Sequence, residues 1–259
     1  MKPDYRNWMP KGMVYAFLFA FLGCGIATAA FQLLPDGTLK TVLTIAFGAI
    51  AVVLCGLTLW AVCMYRAFDY KGKRRMAEQI IEGTAAYVKL PQGSRCLDVG
   101  CGSGALGIAV GKRNPGAEII GIDRWGKEYA SFSKALCERN ARAEGVTWIS
   151  FRQGDATHLE FPDETFDAVV SNYVYHNIPG DRQQYLLETL RTLKKGGTFT
   201  LHDIFSRAKY GDMQAFVQKL RDMGYEKVEL IDTTDGKFMT RFEACWMALR
   251  GSALLTGRK

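Results

Sequence analysis

Two long apolar runs open the chain. Residues 12–34 and 41–65 contain no charged side chain, and each run exceeds the roughly 20 residues that a helix needs to cross the hydrocarbon core of a bilayer. The connection between them, Pro-Asp-Gly-Thr-Leu-Lys at 35–40, is too short for anything but a hairpin. The pattern therefore predicts a transmembrane hairpin of two helices.

The charges around these runs predict their orientation. Basic residues collect at the cytoplasmic ends of membrane helices. Those flanking the two runs are Lys2, Arg6 and Lys11 before the first, and Arg66, Lys71, Lys73, Arg74 and Arg75 after the second. The connection carries only one acid and one lysine, and their charges cancel. We therefore expect both termini, and everything after the second run, on the cytoplasmic side.

An alternative makes the first run a secretory signal peptide, with Ala27-Thr28-Ala29 as its cleavage site. The run is long for a signal peptide, and a second apolar run follows it directly. Cleavage would remove one helix. The basic cluster after the second run would still keep the C-terminal part cytoplasmic.

From residue 76 onward, short apolar stretches typical of buried strands alternate with amphipathic stretches typical of helices. Strands are predicted at 95–99, 118–122, 147–152, 166–171, 198–204, 227–232 and 252–256. Helices are predicted at 76–89, 105–113, 125–144, 182–194 and 213–223. Strands separated by helical crossovers indicate an α/β fold with a doubly wound, mostly parallel, seven-stranded sheet.

Charge and cysteine content exclude some classes of protein. The net charge is +7, but many basic residues flank the apolar runs, where the lipid bilayer is the nearer partner. We expect no nucleic-acid partner, because no nucleic-acid motif accompanies the charge. The seven cysteines form no CxxC pair, so we expect neither a metal site nor a disulfide framework.

A glycine-rich turn, Asp-Val-Gly-Cys-Gly-Ser-Gly at 98–104, follows the first predicted strand. Glycines at such a turn let a ligand approach the backbone closely, next to the N–H groups that begin a helix. The stretch Gly-Ser-Gly-Ala-Leu-Gly satisfies the dinucleotide pattern G-x-G-x-x-G, with Asp123 about 20 residues later. A nicotinamide or flavin enzyme is therefore one interpretation.

The same turn fits the pattern D-x-G-x-G-x-G and resembles motif I of the class I methyltransferases that use S-adenosylmethionine. Four later segments resemble further landmarks of this family, in the same order: residues 121–124, 153–156, 166–172 and 193–197. The resemblance implies a Rossmann-like methyltransferase fold with S-adenosyl-L-methionine as cofactor. It divides the chain into a membrane hairpin at 1–70 and a methyltransferase catalytic domain at 71–259.

The resemblance also implies which residues bind the cofactor: Asp98, Gly100, Cys101, Gly102, Gly104, Asp123, Arg124, Asp155, Ala156 and Asn172. Asp98 would lie near the amino-acid end, Asp123 would accept both ribose hydroxyls, and Asp155 would accept from the adenine amino group. Acids suit a ligand that carries a sulfonium and an ammonium group. An acid beside the turn would repel a pyrophosphate, which favours this interpretation over a dinucleotide.

Acceptor contacts are expected at residues 171–178, directly after the fourth predicted strand. His176 is a candidate general base, because its unperturbed pKa lies near neutrality, and Tyr173 is a second catalytic candidate. His176 could instead shape the substrate or make a structural hydrogen bond. The segment lacks the N-P-P-Y pattern of methyltransferases that act on amides, and it is more similar to those that modify small molecules or quinone-like lipids.

The sequence thus favours a membrane-anchored methyltransferase acting on a small acceptor. The membrane hairpin favours a hydrophobic or lipid-like acceptor, and a soluble acceptor, with the hairpin serving only to tether the chain, stays open. Two other functions stay open. One is a non-catalytic cofactor-binding module that serves as a membrane scaffold, because binding motifs do not prove turnover. The other is a nicotinamide-dependent oxidoreductase.

Overall fold

The computed structural model describes residues 2–126 and 131–259. The chain divides into two compact units. One is Asn7–Ala77, and the other joins the described residues up to Arg6 with Glu78–Lys259. Residues 2–6 therefore belong to the same unit as the C-terminal part of the chain.

The first unit is a helical hairpin. Helix α1 (Lys11–Ala30) runs into a 3-10 turn at Phe31–Leu33, and α2 (Thr38–Phe68) follows after a short connection. Both helices are long and apolar enough to cross a membrane, and no residue of their most apolar windows is buried within the protein. The rings of Phe31 and Phe47 meet edge to face at 5.1 Å between centroids. The two helices predicted from the apolar runs are thus present.

The second unit is built on a seven-stranded sheet of order β3-β2-β1-β4-β5-β7-β6. Its strands are β1 (Arg95–Val99), β2 (Glu118–Asp123), β3 (Ile149–Gln153), β4 (Phe166–Asn172), β5 (Leu193–Ile204), β6 (Glu226–Asp232) and β7 (Ser252–Arg258). The strands β3-β2-β1-β4-β5 are parallel, whereas β7 is antiparallel to both of its neighbours. This confirms the predicted doubly wound, mostly parallel sheet.

Helices connect these strands. They are α3 (Met76–Ala85), α4 (Ala105–Arg113), α5 (Lys134–Ala143), α6 (Arg182–Arg191), α7 (Arg207–Tyr210), α8 (Met213–Asp222) and α9 (Arg241–Trp246). Polar side chains begin several of them: Asp181 accepts hydrogen bonds at the start of α6, Asp212 at the start of α8, and Thr240 forms a capping box with Glu243 at α9. Such caps satisfy N–H groups that have no partner within the helix.

The predicted helix at 125–144 is wrong at its start. Trp125 has a left-handed φ of 45°, and its N–H donates to the Asp123 carboxylate. The helix begins only at Lys134, where the Ser133 hydroxyl accepts from the N–H of Leu136. The part of this prediction at 127–130 lies outside the described residues.

The boundary between α6 and β5 also differs from the prediction. The helix predicted to reach residue 194 ends at Arg191, and Leu193 already pairs with Phe166 of β4. The two glycines lie within β5, and the register between β4 and β5 is irregular between Phe166 and Ala168. Short helices α7 and α9 were not predicted, because neither is long enough to show an apolar period.

The sheet fixes where a ligand can bind. Leu97 and Val99 of β1 and Val169 of β4 are fully buried, as expected of central parallel strands covered on both faces. After β1 the chain goes to β2 and β3 on one side, and it then returns to β4 on the other. This reversal leaves a crevice beyond the carboxyl ends of β1 and β4.

Candidate functional site

The glycine turn lies between β1 and α4, at the edge of this crevice. Gly100, Gly102 and Gly104 have φ values of 71°, 55° and 81°, a region that side chains rarely allow. The N–H groups of Gly100 and Cys101 both donate to the carbonyl of Ile122 in β2, at 2.8 and 2.9 Å. A Cβ added to Gly100 would lie 2.3 Å from Val174. The turn therefore requires glycine there for both backbone conformation and space.

Asp123, at the end of β2, holds the turn from one side. Its Oδ2 accepts from the N–H of Gly102 at 2.8 Å, and its Oδ1 accepts from the N–H of Trp125 at 2.7 Å. The indole N–H of Trp125 donates in turn to the carbonyl of Gly102 at 3.0 Å. Gly102 is thus fixed at both its N–H and its carbonyl. Each oxygen of Asp123 keeps a lone pair for a further donor.

Asp98 lies beneath the turn. Its carboxyl group is 1% exposed, and its Oδ2 accepts from the N–H of Gly107 in the first turn of α4 at 2.8 Å. Burial raises the pKa of Asp98 to about 7, against the effect of the Gly107 hydrogen bond. Asp98 thus joins the end of β1 to the start of α4. Its predicted contact with the amino-acid end of a cofactor stays a prediction.

Asp155 follows β3 and faces the same edge of the sheet. Its Oδ1 accepts from the N–H and the hydroxyl of Thr157, each at 2.8 Å, and its Oδ2 lies 4.0 Å from Arg124. Burial raises its pKa, but these hydrogen bonds and the Arg124 charge outweigh that effect and lower the pKa below its usual value. Asp155 is therefore a partly exposed carboxylate next to the buried Ala156.

Asn172, the last residue of β4, pairs in register with His202 of β5. Nδ1 of His202 lies 2.8 Å from the side-chain oxygen of Asn172, and Nε2 lies 3.0 Å from the hydroxyl of Thr233. Burial lowers the pKa of His202 to about 3, so the ring is neutral. His202 thus acts as a support that holds Asn172.

The strongest polar pair on the acceptor side is His176 with Asp203. Nδ1 of His176 lies 2.5 Å from Oδ1 of Asp203, which is 1% exposed and is the second-last residue of β5. The same carboxylate accepts from the N–H groups of Tyr175 and Ile204, at 2.9 and 2.7 Å. Because a carboxylate only accepts, Nδ1 of His176 carries a proton, and in the neutral ring Nε2 is then the nitrogen with the lone pair. Within residues 2–126 and 131–259, no group makes a hydrogen bond to Nε2.

Comparison with known proteins relates this geometry to a family. Residues 97–201 match the family model described as a methyltransferase domain. The demethylmenaquinone methyltransferase of Thermus thermophilus is 34% identical over 129 residues, which is 50% of this chain and 52% of that protein. That of Lactobacillus johnsonii is 36% identical over 111 residues, 42% of this chain and 43% of its own. The chain thus spans about half the length of the curated relatives it matches.

Two solved structures agree over more of the chain. The [4+2]-cyclase SpnF superposes with a TM-score of 0.55 at 22% identity, over 74% of this chain and 85% of its own. Geranyl diphosphate methyltransferase, solved with GPP and sinefungin, superposes with a TM-score of 0.56 at 15% identity, over 75% of this chain and 81% of its own. The chain has the Rossmann-like methyltransferase fold.

The residues matched by the methyltransferase family model include most of the predicted site, but they do not include the acid that holds His176. The glycine turn, Asp123, Asp155 and His176 lie inside residues 97–201, but Asp203 lies just beyond them. The sequence places His202 and Asp203 at the end of the fifth predicted strand, where they could face the same crevice, but it predicts no role for Asp203. The pairing of that carboxylate with His176 is seen only in the structure.

Tyr173, the second catalytic candidate, directs its hydroxyl away from His176. The hydroxyl lies 2.8 Å from that of Ser252, and Ser252 donates its own proton to the carbonyl of Leu249. Tyr173 therefore donates to Ser252, and burial raises its pKa above the usual value. Its ring lies 5.8 Å from that of His176 and 4.7 Å from that of His202. The structure thus gives Tyr173 an apolar face toward the two histidines, and its catalytic role stays a prediction.

Proposed function

We propose that this chain is a membrane-anchored, S-adenosylmethionine-dependent methyltransferase that acts on a small apolar or lipid-like acceptor. One observation carries the proposal. The glycine turn, fixed at Gly102 by Asp123, and the His176–Asp203 pair lie at the same edge of a sheet that has the methyltransferase fold. Parallel strands bring their carboxyl ends to one edge, so a cofactor on the turn and an acceptor near His176 can meet there.

The residues around the turn fit S-adenosylmethionine. Residues 98–107 carry no basic side chain, and Asp98 and Asp123 both lie against the turn. These acids favour a ligand with a sulfonium and an ammonium charge, and they disfavour a pyrophosphate. The lone pairs that Asp123 keeps would accept the ribose hydroxyls. Asp155 would accept from the adenine amino group, near the N–H of Ala156.

The chain's own part in the chemistry is to align the acceptor and to remove a proton. When bound, the cofactor supplies a methyl group activated by its sulfonium, for transfer in line to the acceptor. For an acceptor hydroxyl, Nε2 of His176 would take the proton that the oxygen gives up on methylation. Asp203 keeps the proton of the resting imidazole on Nδ1 and stabilises the positive ring that results. The neutral Tyr173 contributes an apolar wall.

The proposed acceptor class rests on three observations. Aromatic rings lie near the two histidines: that of Tyr173 is 5.8 Å from His176 and 4.7 Å from His202, and that of Phe238 is 5.3 Å from His202. Two of the relatives are named for a menaquinone precursor. The chain also carries two helices apolar enough for a membrane. An acceptor that partitions into the bilayer would suit all three.

We further propose that the hairpin spans the membrane with both ends in the cytoplasm. The support is the length of α1 and α2 and the basic residues that flank the hairpin on its outer sides. The catalytic domain would then work at the cytoplasmic surface. That surface is where an acceptor dissolved in the inner leaflet can be reached.

Titration calorimetry on the full chain in lipid nanodiscs tests the cofactor assignment. We expect S-adenosylmethionine to bind and NAD to show no binding. Asp123→Ala should weaken S-adenosylmethionine binding at least tenfold, because Gly102 and the ribose lose one acceptor. Asp222→Ala, an exposed acid of α8, is the matched control and should leave binding unchanged. Binding of NAD without S-adenosylmethionine would instead support the oxidoreductase interpretation.

A further inference from the structure

The N-terminal segment, residues 2–6, is part of the unit that carries the glycine turn. Asp4 and Asn140 of α5 are 136 positions apart and form two hydrogen bonds. The N–H of Asp4 donates to Oδ1 of Asn140 at 2.8 Å, and Nδ2 of Asn140 donates to the carbonyl of Asp4 at 3.0 Å. Asn140 is 2% exposed. The segment is therefore joined to a buried amide through backbone atoms.

The same amide also reaches the glycine turn. Nδ2 of Asn140 donates its second proton to the carbonyl of Ser103 at 3.0 Å. Both of its Nδ2 partners are carbonyls and its Oδ1 partner is an N–H, so only one orientation of the amide satisfies all three. One helical turn earlier, the thiol of Cys137 lies 3.1 Å from the carbonyl of Gly102. Helix α5 thus holds two successive carbonyls of the turn.

Tyr5 attaches the segment at a second place. Its ring packs against a buried cluster that includes Cys101 of the turn and Cys137. Its hydroxyl donates to Glu144 at 3.2 Å, and Glu144 forms an ion pair with Lys112 at 2.7 Å. The two attachments are at Asn140 of α5 and at Glu144, the residue that ends this helix, so the segment contacts the C-terminal part of the helix that supports the turn.

We propose that Asn140 is a positioning residue for the cofactor, and that the N-terminal segment completes its hydrogen bonds. This inference rests on the proposed function. Ser103 lies between two glycines with left-handed φ, so the turn has unusual conformational freedom that binding would have to remove. Asn140 restricts that freedom beforehand by fixing the Ser103 carbonyl. Cofactor affinity therefore depends on residues that precede the first apolar helix.

A second buried asparagine provides a matched control. Asn114, 6% exposed at the end of α4, accepts from the N–H of Leu90 at 2.8 Å. It donates to the carbonyls of Val88 and Val110 at 3.2 and 2.8 Å. It has the same number and kind of bonds as Asn140, but it lies at the opposite end of α4 from the turn.

The experiment compares Asn140→Asp with Asn114→Asp in the full chain, using S-adenosylmethionine as the calorimetric probe. Each change replaces two donors by a carboxylate that faces two carbonyls. We expect both to lower the unfolding temperature, but only Asn140→Asp to weaken binding at least tenfold, with Asn114→Asp within twofold of wild type. Equal weakening by both variants, or unchanged affinity in Asn140→Asp, would overturn the proposal. Wild-type protein that bound no S-adenosylmethionine would overturn the proposed function instead.

A second pair of variants tests whether the N-terminal segment completes the hydrogen bonds of Asn140. Asp4→Pro removes the N–H that donates to Asn140, whereas Asp4→Ala removes the carboxylate and keeps that N–H. We expect a threefold or greater loss of affinity for S-adenosylmethionine in Asp4→Pro relative to Asp4→Ala. Equal affinities would show that the segment contributes nothing to the turn.

Discussion

His176, in the 3-10 turn that follows β4, and Asp203, near the end of β5, form a hydrogen-bonded pair because these two strands are neighbours. The register pairs Asn172 of β4 with His202 of β5, so the residues that follow Asn172 lie beside the end of β5. Asp203 then accepts from both the backbone and the ring of His176. A buried carboxylate that fixes the imidazole tautomer is the arrangement a general base requires.

The first prediction concerns His176 as the base. His176→Gln should lower kcat by about 10²–10⁴, the usual contribution of a general base, and should leave the Kd of S-adenosylmethionine within twofold of wild type. Single-turnover kinetics with labelled cofactor measures both. His158→Gln, at an exposed histidine, is the control. A kcat for His176→Gln equal to that of the control would show that His176 only shapes the site.

The second prediction concerns Asp203 as the group that positions His176. Asp203→Asn keeps an oxygen that accepts from Tyr175 N–H but removes the charge that stabilises the imidazolium. We expect kcat to fall at least about tenfold with little change in the KM for S-adenosylmethionine, because the interaction is made as the proton moves. A fall in affinity with kcat unchanged would indicate a purely structural carboxylate.

The third prediction concerns Gly100. Gly100→Ala places a Cβ 2.3 Å from Val174 at a φ of 71°, and the backbone strain alone costs about 1–3 kcal/mol. Cofactor binding should be lost or strongly weakened. The double variant Gly100→Ala/Val174→Ala should recover part of the affinity, since it removes the clash but not the strain. Full recovery would mean that the left-handed conformation is not needed.

The fourth prediction is that two buried groups, Asp98 and His202, change the free energy of unfolding in opposite directions as the pH changes. The folded-state pKa of Asp98 is about 7, against about 3.9 when unfolded. The folded state therefore holds more protons between these values, and this contribution to stability is lost as pH rises from about 4 to about 7. The folded-state pKa of His202 is about 3, against about 6.5 when unfolded. Its contribution is lost as pH falls from about 6.5 to about 3.

Single variants should expose each group. In Asp98→Asn, only the loss of stability from His202 remains as the pH falls. The unfolding temperature of this variant should therefore fall more steeply than that of wild type when the pH is lowered from 6.5 to 4.5. His202→Gln should show the reverse change. Thermal unfolding in detergent micelles across this range measures both. If the unfolding temperatures of the wild type and of both variants changed with pH in parallel, the pKa shifts of Asp98 and His202 would both be contradicted.

The fifth prediction tests the hairpin. The full chain should stay in the membrane pellet after alkaline carbonate extraction, and intact mass should retain residues 12–34. Val53→Arg introduces a charge into α2, which costs about 2.5–3.5 kcal/mol in membrane insertion, so the inserted fraction should fall. Met223→Arg, at an exposed apolar residue of the other unit, should have no effect. A mature mass lacking the first run would support the signal-peptide alternative.

The sequence was most informative where local pattern alone decides structure. Buried runs such as Leu97–Val99 predicted the strands, and the three glycines after Asp98 predicted the turn. The start of α5 was mispredicted because Trp125 is held by Asp123 and by Gly102, contacts that exist only once β1 and β2 are paired. Helical period alone cannot show such contacts.

The polar partners of the site were harder to predict, because strand order joins them. Asp203 meets His176 only because β5 adjoins β4. Asn140 looks like an ordinary polar residue of an amphipathic helix, and only the folded chain brings Asp4 and Ser103 to it. Residues far apart in the chain contribute to one hydrogen-bond network, which a single sequence does not reveal.

Methyl transfer itself is the most direct test of the central claim. Full-length protein in its native membranes, incubated with methyl-labelled S-adenosylmethionine, should transfer label to a product that extracts into organic solvent. Asp123→Ala and His176→Gln membranes should incorporate far less. If wild-type protein binds S-adenosylmethionine yet transfers no more label than Asp123→Ala, the chain is a cofactor-binding scaffold and the account is contradicted.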